Sequence, residues 1–558
     1  MIFSLNQKIS RINTLYAMLI VGSVICISLL SSVPPVNRDA LTHHLFIPKL
    51  YLQHGGMYEI QYLPVSYYPM NIDLLYLIPL YFNNDTIPAF IHFSFALITS
   101  LMIYRYLLGR INKTYALLGA LFFLTIPVIV RLSSTAYVDL GLIFFLFVSI
   151  LCLFDWIESG FKIRYLIFSG ICCGLAVGAK YNGLIGMFLL GLFIIFVYAR
   201  YHARRKYFSV KAVGCGAVFV VTAGIVFSPW VIRNIAWTGN PVYPLYNSLF
   251  QNIDTNVEAK PDTEPEEYTN ISHIRVLREI YGESWLQIAL IPLRVFFQGQ
   301  DDNPQYFDGK TNPFLLLLTL FAFFGIRSGT PQEKTEKLLM MFFSVLFLIY
   351  ACAQASIRIR YFSAILPLLV ILAMFGLFNI QTQILNRSLH LSEQFKKTII
   401  FGIIITMLGL NANYLVNRFK IDQPISYLLG YVTRDEYIQR YRPEYATYQF
   451  ANENLAQDSK ILGVYIGNRG YYSDRHIEFS TEILRSLASN SKGDRYIAEK
   501  LKGKGFTHIL INFDLFNTWA QKYTDHEKKN LDHFFKVYTT LEFLKDGHGL
   551  LRLIMENE

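Results

Sequence analysis

Two isolated carboxylates and a scatter of cations stand out in a chain that is otherwise mostly apolar. Asp39 lies in the run Asn37-Arg38-Asp39-Ala40-Leu41-Thr42-His43-His44. If Asn37 caps a helix, Asp39 and His43 share one face a turn apart. A carboxylate there answers the positive end of a helix dipole, and it is also free to serve chemistry. Asp139, in Ser134-Thr135-Ala136-Tyr137-Val138-Asp139-Leu140-Gly141, stands at the mouth of an apolar run. An ionisable group at that depth is costly unless it faces protein or a wet cavity, so it reads either as functional or as a helix-terminal acid just above a membrane.

The cations fall into three groups. Lys180, in Gly178-Ala179-Lys180-Tyr181-Asn182-Gly183, ends another apolar run and either snorkels to an interface or meets a ligand. Arg233 and Asn234 follow Ser228-Pro229-Trp230 and precede Thr238-Gly239-Asn240-Pro241-Val242-Tyr243-Pro244. Aromatic belts explain the Trp and Tyr of this block but not its Arg-Asn pair. Arg358 and Arg360, in Ser356-Ile357-Arg358-Ile359-Arg360-Tyr361, open a late apolar run. An anionic ligand would give this pair a purpose, and both reach one phosphate if the helix starts at Tyr361. His43, His44 and His54 are too irregularly spaced for a metal site and read as interfacial packing. Tyr67 heads Tyr67-Tyr68-Pro69-Met70-Asn71, ahead of a short apolar segment.

The elements that must hold these groups are membrane helices. The chain has 558 residues, 53% hydrophobic and only 16% charged, where a soluble domain carries about a quarter charged. Its apolar residues sit in long blocks, and a bilayer core takes about 20 per helix. Eleven transmembrane helices are expected, near 13–32, 86–108, 114–130, 139–155, 165–180, 183–199, 211–228, 313–326, 337–353, 361–379 and 398–416. With the N-terminus cytoplasmic, the short basic loops all fall inside, as the positive-inside rule demands. These loops hold Arg105/Arg110/Lys113, Lys162/Arg164, Arg200/Arg204/Arg205/Lys206/Lys211, Arg327/Lys334/Lys337 and Arg387/Lys396/Lys397.

That distribution also explains the net charge of +10 without nucleic acid, which is excluded as a partner. The six cysteines lie in or beside apolar segments, so neither loop disulfides nor a zinc cage are expected. No small-residue cleavage site follows the first span, which reads as an uncleaved helix. The segment Asn71–Phe82 is too short to span and belongs on the outer surface, in a long first loop of about 33–85.

Beyond about residue 417 the composition becomes that of a soluble protein. Strand-like runs at Lys460–Tyr465, Thr507–Asn512 and Gly549–Ile554 alternate with a helical stretch at Asp494–Lys502, and Asp546-Gly547 suits a hairpin turn. The fold class is thus a polytopic α-helical membrane protein with a small C-terminal α/β extracytoplasmic domain, divided as 1–416 and 417–558. It resides in the plasma (inner) membrane, and its chemistry faces the extracytoplasmic side.

In this order the features resemble the GT-C superfamily of membrane glycosyltransferases, which holds protein O-mannosyltransferases and the lipid A aminoarabinose transferase. The matching features are an acid early in a long first outer loop and a second Asp after the third span. A Gly-Ala-Lys-Tyr-Asn-Gly stretch, a Pro-Trp-x-x-Arg-Asn…Gly-Asn-Pro-Val-Tyr-Pro block and an Arg-Tyr helix start follow. The likeness covers about residues 10–380. One departure matters: many members carry an Asp-Glu or Asp-x-Asp pair in the first loop, whereas Ala40 and Leu41 follow Asp39. A divalent metal therefore lacks its paired acidic motif, and no cofactor is expected with certainty.

The resemblance implies an inverting transfer of a sugar from a polyprenyl-phosphate donor to a glycan, lipid or protein acceptor. Asp39 and Asp139 are then the catalytic candidates. Arg358, Arg360, Lys180 and Arg233 are candidates for the donor phosphate, and His43, Tyr67 and Asn234 for substrate contact. The alternatives are an O-antigen-type polymerase or ligase, and a transporter or flippase of lipid-linked glycans. A transporter would show buried charges along its spans and repeated halves, which the sequence lacks.

Overall fold

A computed structural model describes residues 2–202, 208–250, 273–324, 330–354, 356–385, 391–489 and 493–554. Arg204, Arg205, Lys206, Arg327 and Arg387 of the basic loops lie outside the described residues. Among the described residues, eight helical segments are long and apolar enough to cross a bilayer: Ser10–Ser31, Ile87–Arg110, Asp139–Glu158, Gly183–Tyr201, Val210–Thr238, Pro331–Cys352, Ile359–Leu385 and Glu393–Asp422. Apolar side chains such as Val213, Val221, Ile225, Phe401 and Ile405 stay exposed on them, as a lipid-facing surface requires.

The expected count of eleven is not reached on length and composition. The span placed near 114–130 is a bent pair, Lys113–Thr125 and Pro127–Ser133, with 64° between its halves. Pro127 has no N–H to continue the helix and holds Ile126 extended at ψ 130°. The spans placed near 165–180 and 313–326 are the shorter apolar segments Ile163–Ala179 and Phe314–Phe323. Ile163–Ala179 packs tightly through Gly170 and Gly174, one turn apart. A Cβ on Gly174 would lie 2.5 Å from the Ala223 carbonyl oxygen, so the helix Phe208–Thr238 approaches backbone to backbone.

Two boundaries differ from expectation. The helix expected to end at residue 228 runs through Pro229 to Thr238, which places Arg233 and Asn234 on a helix rather than in a loop. The last long helix reaches Asp422, past the division expected at 416. The short segment of the first loop forms the helix Asp73–Tyr81. It buries Asp73, Tyr76 and Leu80 and leaves Leu75, Ile78 and Tyr81 exposed, an amphipathic pattern suited to lying on a membrane surface.

The C-terminal unit is a five-stranded mixed sheet in the order β2-β1-β3-β5-β4. Its strands are β1 (Lys460–Val464), β2 (His476–Phe479), β3 (His508–Asn512), β4 (Thr539–Lys545) and β5 (His548–Leu553). β1 pairs in parallel with β2 and β3, while β5 runs antiparallel to β3 and β4. The β4–β5 hairpin turns at Asp546-Gly547, both at positive φ (49° and 73°), the backbone that a two-residue turn demands. β2 and β4 were not legible, being short or mostly exposed.

This unit does not stand apart. Phe46, Ile47 and Tyr51 of the first loop share one apolar cluster with Tyr448, Ile461, Ile477, Leu510 and Leu550. The first loop and the sheet therefore cover the same end of the helix bundle.

Candidate functional site

The two carboxylates lie at that covered end, and each has a cation of its own. Arg38 begins a helical turn that widens into a π-turn at Ala40–His44, so Asp39 does not act as a helix cap. Its side chain turns instead to Arg360, whose Nη2 donates to Asp39 Oδ2. Burial pushes the Asp39 carboxyl up, but the Arg360 guanidinium outweighs it, with help from His43, and holds the group well below the usual carboxylate range. Arg360 stacks against Tyr137 at 5.1 Å, and its buried Nε has no hydrogen-bond partner among the described residues.

Asp139 is the first residue of its helix and is fully buried. Lys180 Nζ donates to its Oδ1 at 2.7 Å, while Oδ2 is buried without a partner among the described residues. His92 fixes this helix start. Its Nδ1 lies 2.9 Å from the carbonyls of Leu132 and Thr135, and its Nε2 accepts from the Leu140 N–H at 2.9 Å. The Tyr361 ring lies 5.2 Å from Lys180 and 5.5 Å from Arg360, so both cations border one aromatic ring.

Lys180 is positioned by close backbone contact. Asn71 donates its N–H to the Gly178 carbonyl at 2.9 Å and its Nδ2 to the Leu175 carbonyl at 3.3 Å. A Cβ on Gly178 would lie 2.1 Å from Asn71 Nδ2, so any side chain here would push Asn71 away.

The remaining candidates separate from this centre. Arg358 precedes the 3-10 turn Ile359–Ile365, and its Nη1 lies 3.6 Å from Asp308, whereas Arg360 sits within the turn and faces Asp39. The two arginines thus face different carboxylates, Asp308 and Asp39. Arg233 also departs from its expected place. It donates to the carbonyls of Tyr67 and Tyr68, between the rings of Trp230 (4.7 Å) and Trp237 (5.0 Å). Asn234 is fully buried and donates to the Tyr67 carbonyl and the Tyr181 hydroxyl, both at 3.0 Å. Tyr67 is buried too, with its hydroxyl on Glu59 at 2.6 Å. These contacts pin the first loop to the helix Phe208–Thr238, while Arg233 Nη1 is buried without a partner among the described residues.

His43 and His44 lie behind Asp39 with ring centroids 3.8 Å apart. His44 Nδ1 is 2.7 Å from Asp73 Oδ1. Burial lowers both imidazoles to about 3 and raises the Asp73 carboxyl to about 7, so at moderate pH the carboxyl keeps its proton and donates it to a neutral His44. His43 Nδ1 is buried without a partner among the described residues.

Asp73, His92 and Tyr137 were not singled out from sequence. A lone acid in an apolar segment and a lone histidine in a span were the available signals for the first two. Among the described residues no group of three His, Cys, Asp or Glu side chains could hold a metal ion. Asp39 and Asp139 are each engaged by a cation rather than facing one another, a donor set that does not fit a divalent ion.

The dolichyl-phosphate-mannose-protein mannosyltransferase family matches residues 49–236. No curated protein matches in sequence. Among solved structures, ArnT from Cupriavidus metallidurans in the apo state is similar, at 12% identity over 98% of each chain and a TM-score of 0.53. The archaeal oligosaccharyltransferase AglB from Archaeoglobus fulgidus, in complex with an inhibitory peptide and a dolichol-phosphate, is also similar. It shares 12% identity over 94% of this chain and 72% of its own, with a TM-score of 0.51. The likeness at such identity is one of fold.

Proposed function

We propose that this chain, which has the fold of the GT-C membrane glycosyltransferases, moves a sugar from a polyprenyl-phosphate donor to an acceptor on the extracytoplasmic side. The observation that carries the reading is the pair of ion contacts, Asp39–Arg360 and Asp139–Lys180, bordering one tyrosine at the covered end of the bundle. Two carboxylates and two cations leave this centre electrically balanced when empty. A donor phosphate is best received by cations, and the fork of Arg360, with its spare Nε, offers bidentate contact.

The reaction follows from that exchange. As the phosphate takes Arg360, the guanidinium leaves Asp39, whose carboxylate becomes a stronger base. The acceptor hydroxyl loses its proton to Asp39 as its oxygen bonds to the anomeric carbon. The bond from that carbon to the phosphate oxygen breaks, and the lipid phosphate departs as an anion that needs no proton. One displacement inverts the anomeric centre. Arg360 and Lys180 stabilise the charge gathering on the leaving phosphate, while Asp139 holds Lys180 in place.

Support comes from the matched family, from the fold, and from cations on a face where membrane topology alone gives them no duty. The test is to incubate purified protein with radiolabelled polyprenyl-phosphate sugars and a membrane extract as acceptor source. The reading expects labelled product of inverted configuration together with released polyprenyl phosphate. Absence of both with every donor would overturn it.

A further inference from the structure

The C-terminal unit brings two arginines toward the first loop that the proposed reaction does not use. Arg442 follows the helix Arg434–Tyr441, and Arg469 lies in the turn after β1. Gly467 and Asn468 run at positive φ in that turn (72° and 57°). A Cβ on Gly467 would lie 2.3 Å from Arg469 Nη1, so the bare glycine lets the guanidinium fold back over the turn. The Arg469 carbonyl accepts from the Tyr448 hydroxyl at 2.8 Å, and Gly470 packs on the Phe46 ring of the first loop. The Tyr471 N–H then donates to the Leu41 carbonyl at 3.2 Å, just past Asp39.

Charge in this cluster does not balance. Glu444 is buried, and its Oε1 accepts from Arg469 Nε. Among the described residues Arg442 makes one hydrogen bond, from Nη1 to the carbonyl of its neighbour Tyr441 at 2.8 Å, and its buried Nε has no partner. Capping a helix end in this way occupies one of its five donors. Burial, and after it the like charge of Arg469, hold the Arg442 guanidinium below the usual arginine range, and Glu444 offsets them only in part. Asp302, the other carboxylate that acts on Arg442, is exposed and engaged by Arg131 at 2.7 Å. One carboxylate shared by two guanidinium groups leaves a positive charge in excess, and in partly buried surroundings that is costly until an anion answers it.

The cluster adjoins the proposed reaction centre. Arg442 interacts electrostatically with Tyr137, whose ring stacks on Arg360 and whose hydroxyl faces the Asp39 backbone. The donor phosphate has its own cations in Arg360 and Lys180, so the excess charge on the sheet unit falls to the other substrate.

We infer that Arg442 and Arg469 form a subsite for an oxyanion, carboxylate or phosphate, carried by the acceptor. The inference rests on the transferase reading and narrows its acceptor to one with an acidic group near the hydroxyl that is glycosylated. Arg442 supplies the free fork, and Arg469 adds charge while Glu444 holds it in place.

The test is direct binding to the full-length protein in phosphatidylcholine nanodiscs, without donor. The probes are glucuronic-acid oligomers and mannose 6-phosphate, each beside its neutral counterpart. At least one acidic probe should bind about tenfold or more tightly than its counterpart. Arg442→Gln should remove that preference, as loss of charge-assisted hydrogen bonds predicts, and Arg442→Lys, which keeps the charge without the fork, should fall between. Arg442 ties down nothing but its own helix end, so the glutamine variant should fold, and Arg442→Met serves if it does not. Equal binding of acidic and neutral probes, or a preference that survives loss of the arginine, would overturn the inference. Loss of acidic binding when phosphatidylglycerol enters the nanodisc, at salt that screens the bilayer's own charge, would overturn it too, because the site would then belong to a lipid headgroup. Because donor is absent, such a failure leaves the transferase reading standing; that reading fails separately, through absence of released polyprenyl phosphate.

Discussion

Asp39 is a poor base for as long as Arg360 holds it, because the guanidinium keeps its carboxyl ionised far below the usual range. On the proposed reaction the donor phosphate arrives first, and kinetics should be ordered with donor leading. Arg360→Lys keeps the charge but loses the fork, so donor KM should rise and turnover should fall by at least about tenfold. Arg358→Ala should have the smaller effect, since that side chain turns to Asp308. Steady-state kinetics with varied donor separates the two arginines. The Asp73–His44 contact makes a second prediction at this scale. Between about pH 4 and 6.5 an unfolded chain carries one proton on the histidine, and the folded pair carries one on the carboxyl, so the contact adds no slope to stability. Asp73→Asn removes the titrating carboxyl but leaves His44 neutral in the fold. The unfolded state then binds one further proton relative to the fold, so stability should rise with pH up to about 6.5 more steeply in the variant than in the unmodified protein, where neutral His43 already contributes a slope. Thermal unfolding across that range would reveal it, and identical profiles would mean His44 is charged in the fold.

The elements show why these contacts could be only half read. Each ion of the centre was legible as a charge at the end of an apolar run. Its partner was not, because Asp39 and Arg360 lie 321 residues apart and meet only when the first loop folds back. Long apolar blocks marked the helices, yet hydropathy carries no signal for the 64° break before Pro127 or for the helix that continues through Pro229. That continuation is stabilised by tertiary contacts, chiefly Trp230 donating to Asn71 at 2.8 Å and Arg233 donating to the first loop. The anchoring contacts of Arg233 and Asn234 to the first loop were therefore not legible in the sequence. The sheet was clearest where strands are buried, in β1, β3 and β5, and faded in β2 and β4. The close fit of Gly178 on Asn71 yields a prediction for the element as a whole. Gly178→Ala forces Asn71 away and with it the start of the helix Asp73–Tyr81 and the seat of Lys180. It should cost about 1–3 kcal/mol, as overpacking does, and turnover should fall more than donor affinity. Unfolding and kinetics measured together would check this.

At the scale of the whole molecule, the first loop and the sheet unit close over one end of a bundle whose spans present apolar surface elsewhere. By the positive-inside rule we propose that the opposite end, with its basic loops, faces the cytoplasm. A reporter fused after Lys162 should then act as cytoplasmic and one fused after Gln423 as extracytoplasmic, and agreement between the two reporters would refute the arrangement. In the centre beneath the closed end, we propose, Asp39 takes the acceptor proton once a lipid phosphate has drawn Arg360 away. The most direct measurement is single-turnover sugar transfer from a saturating polyprenyl-phosphate donor by Asp39→Asn, compared with the unmodified protein at matched expression and unfolding temperature. Transfer should fall about 100-fold or more, the scale on which general base catalysis contributes, with donor still bound. A rate within about threefold of the unmodified protein would contradict it.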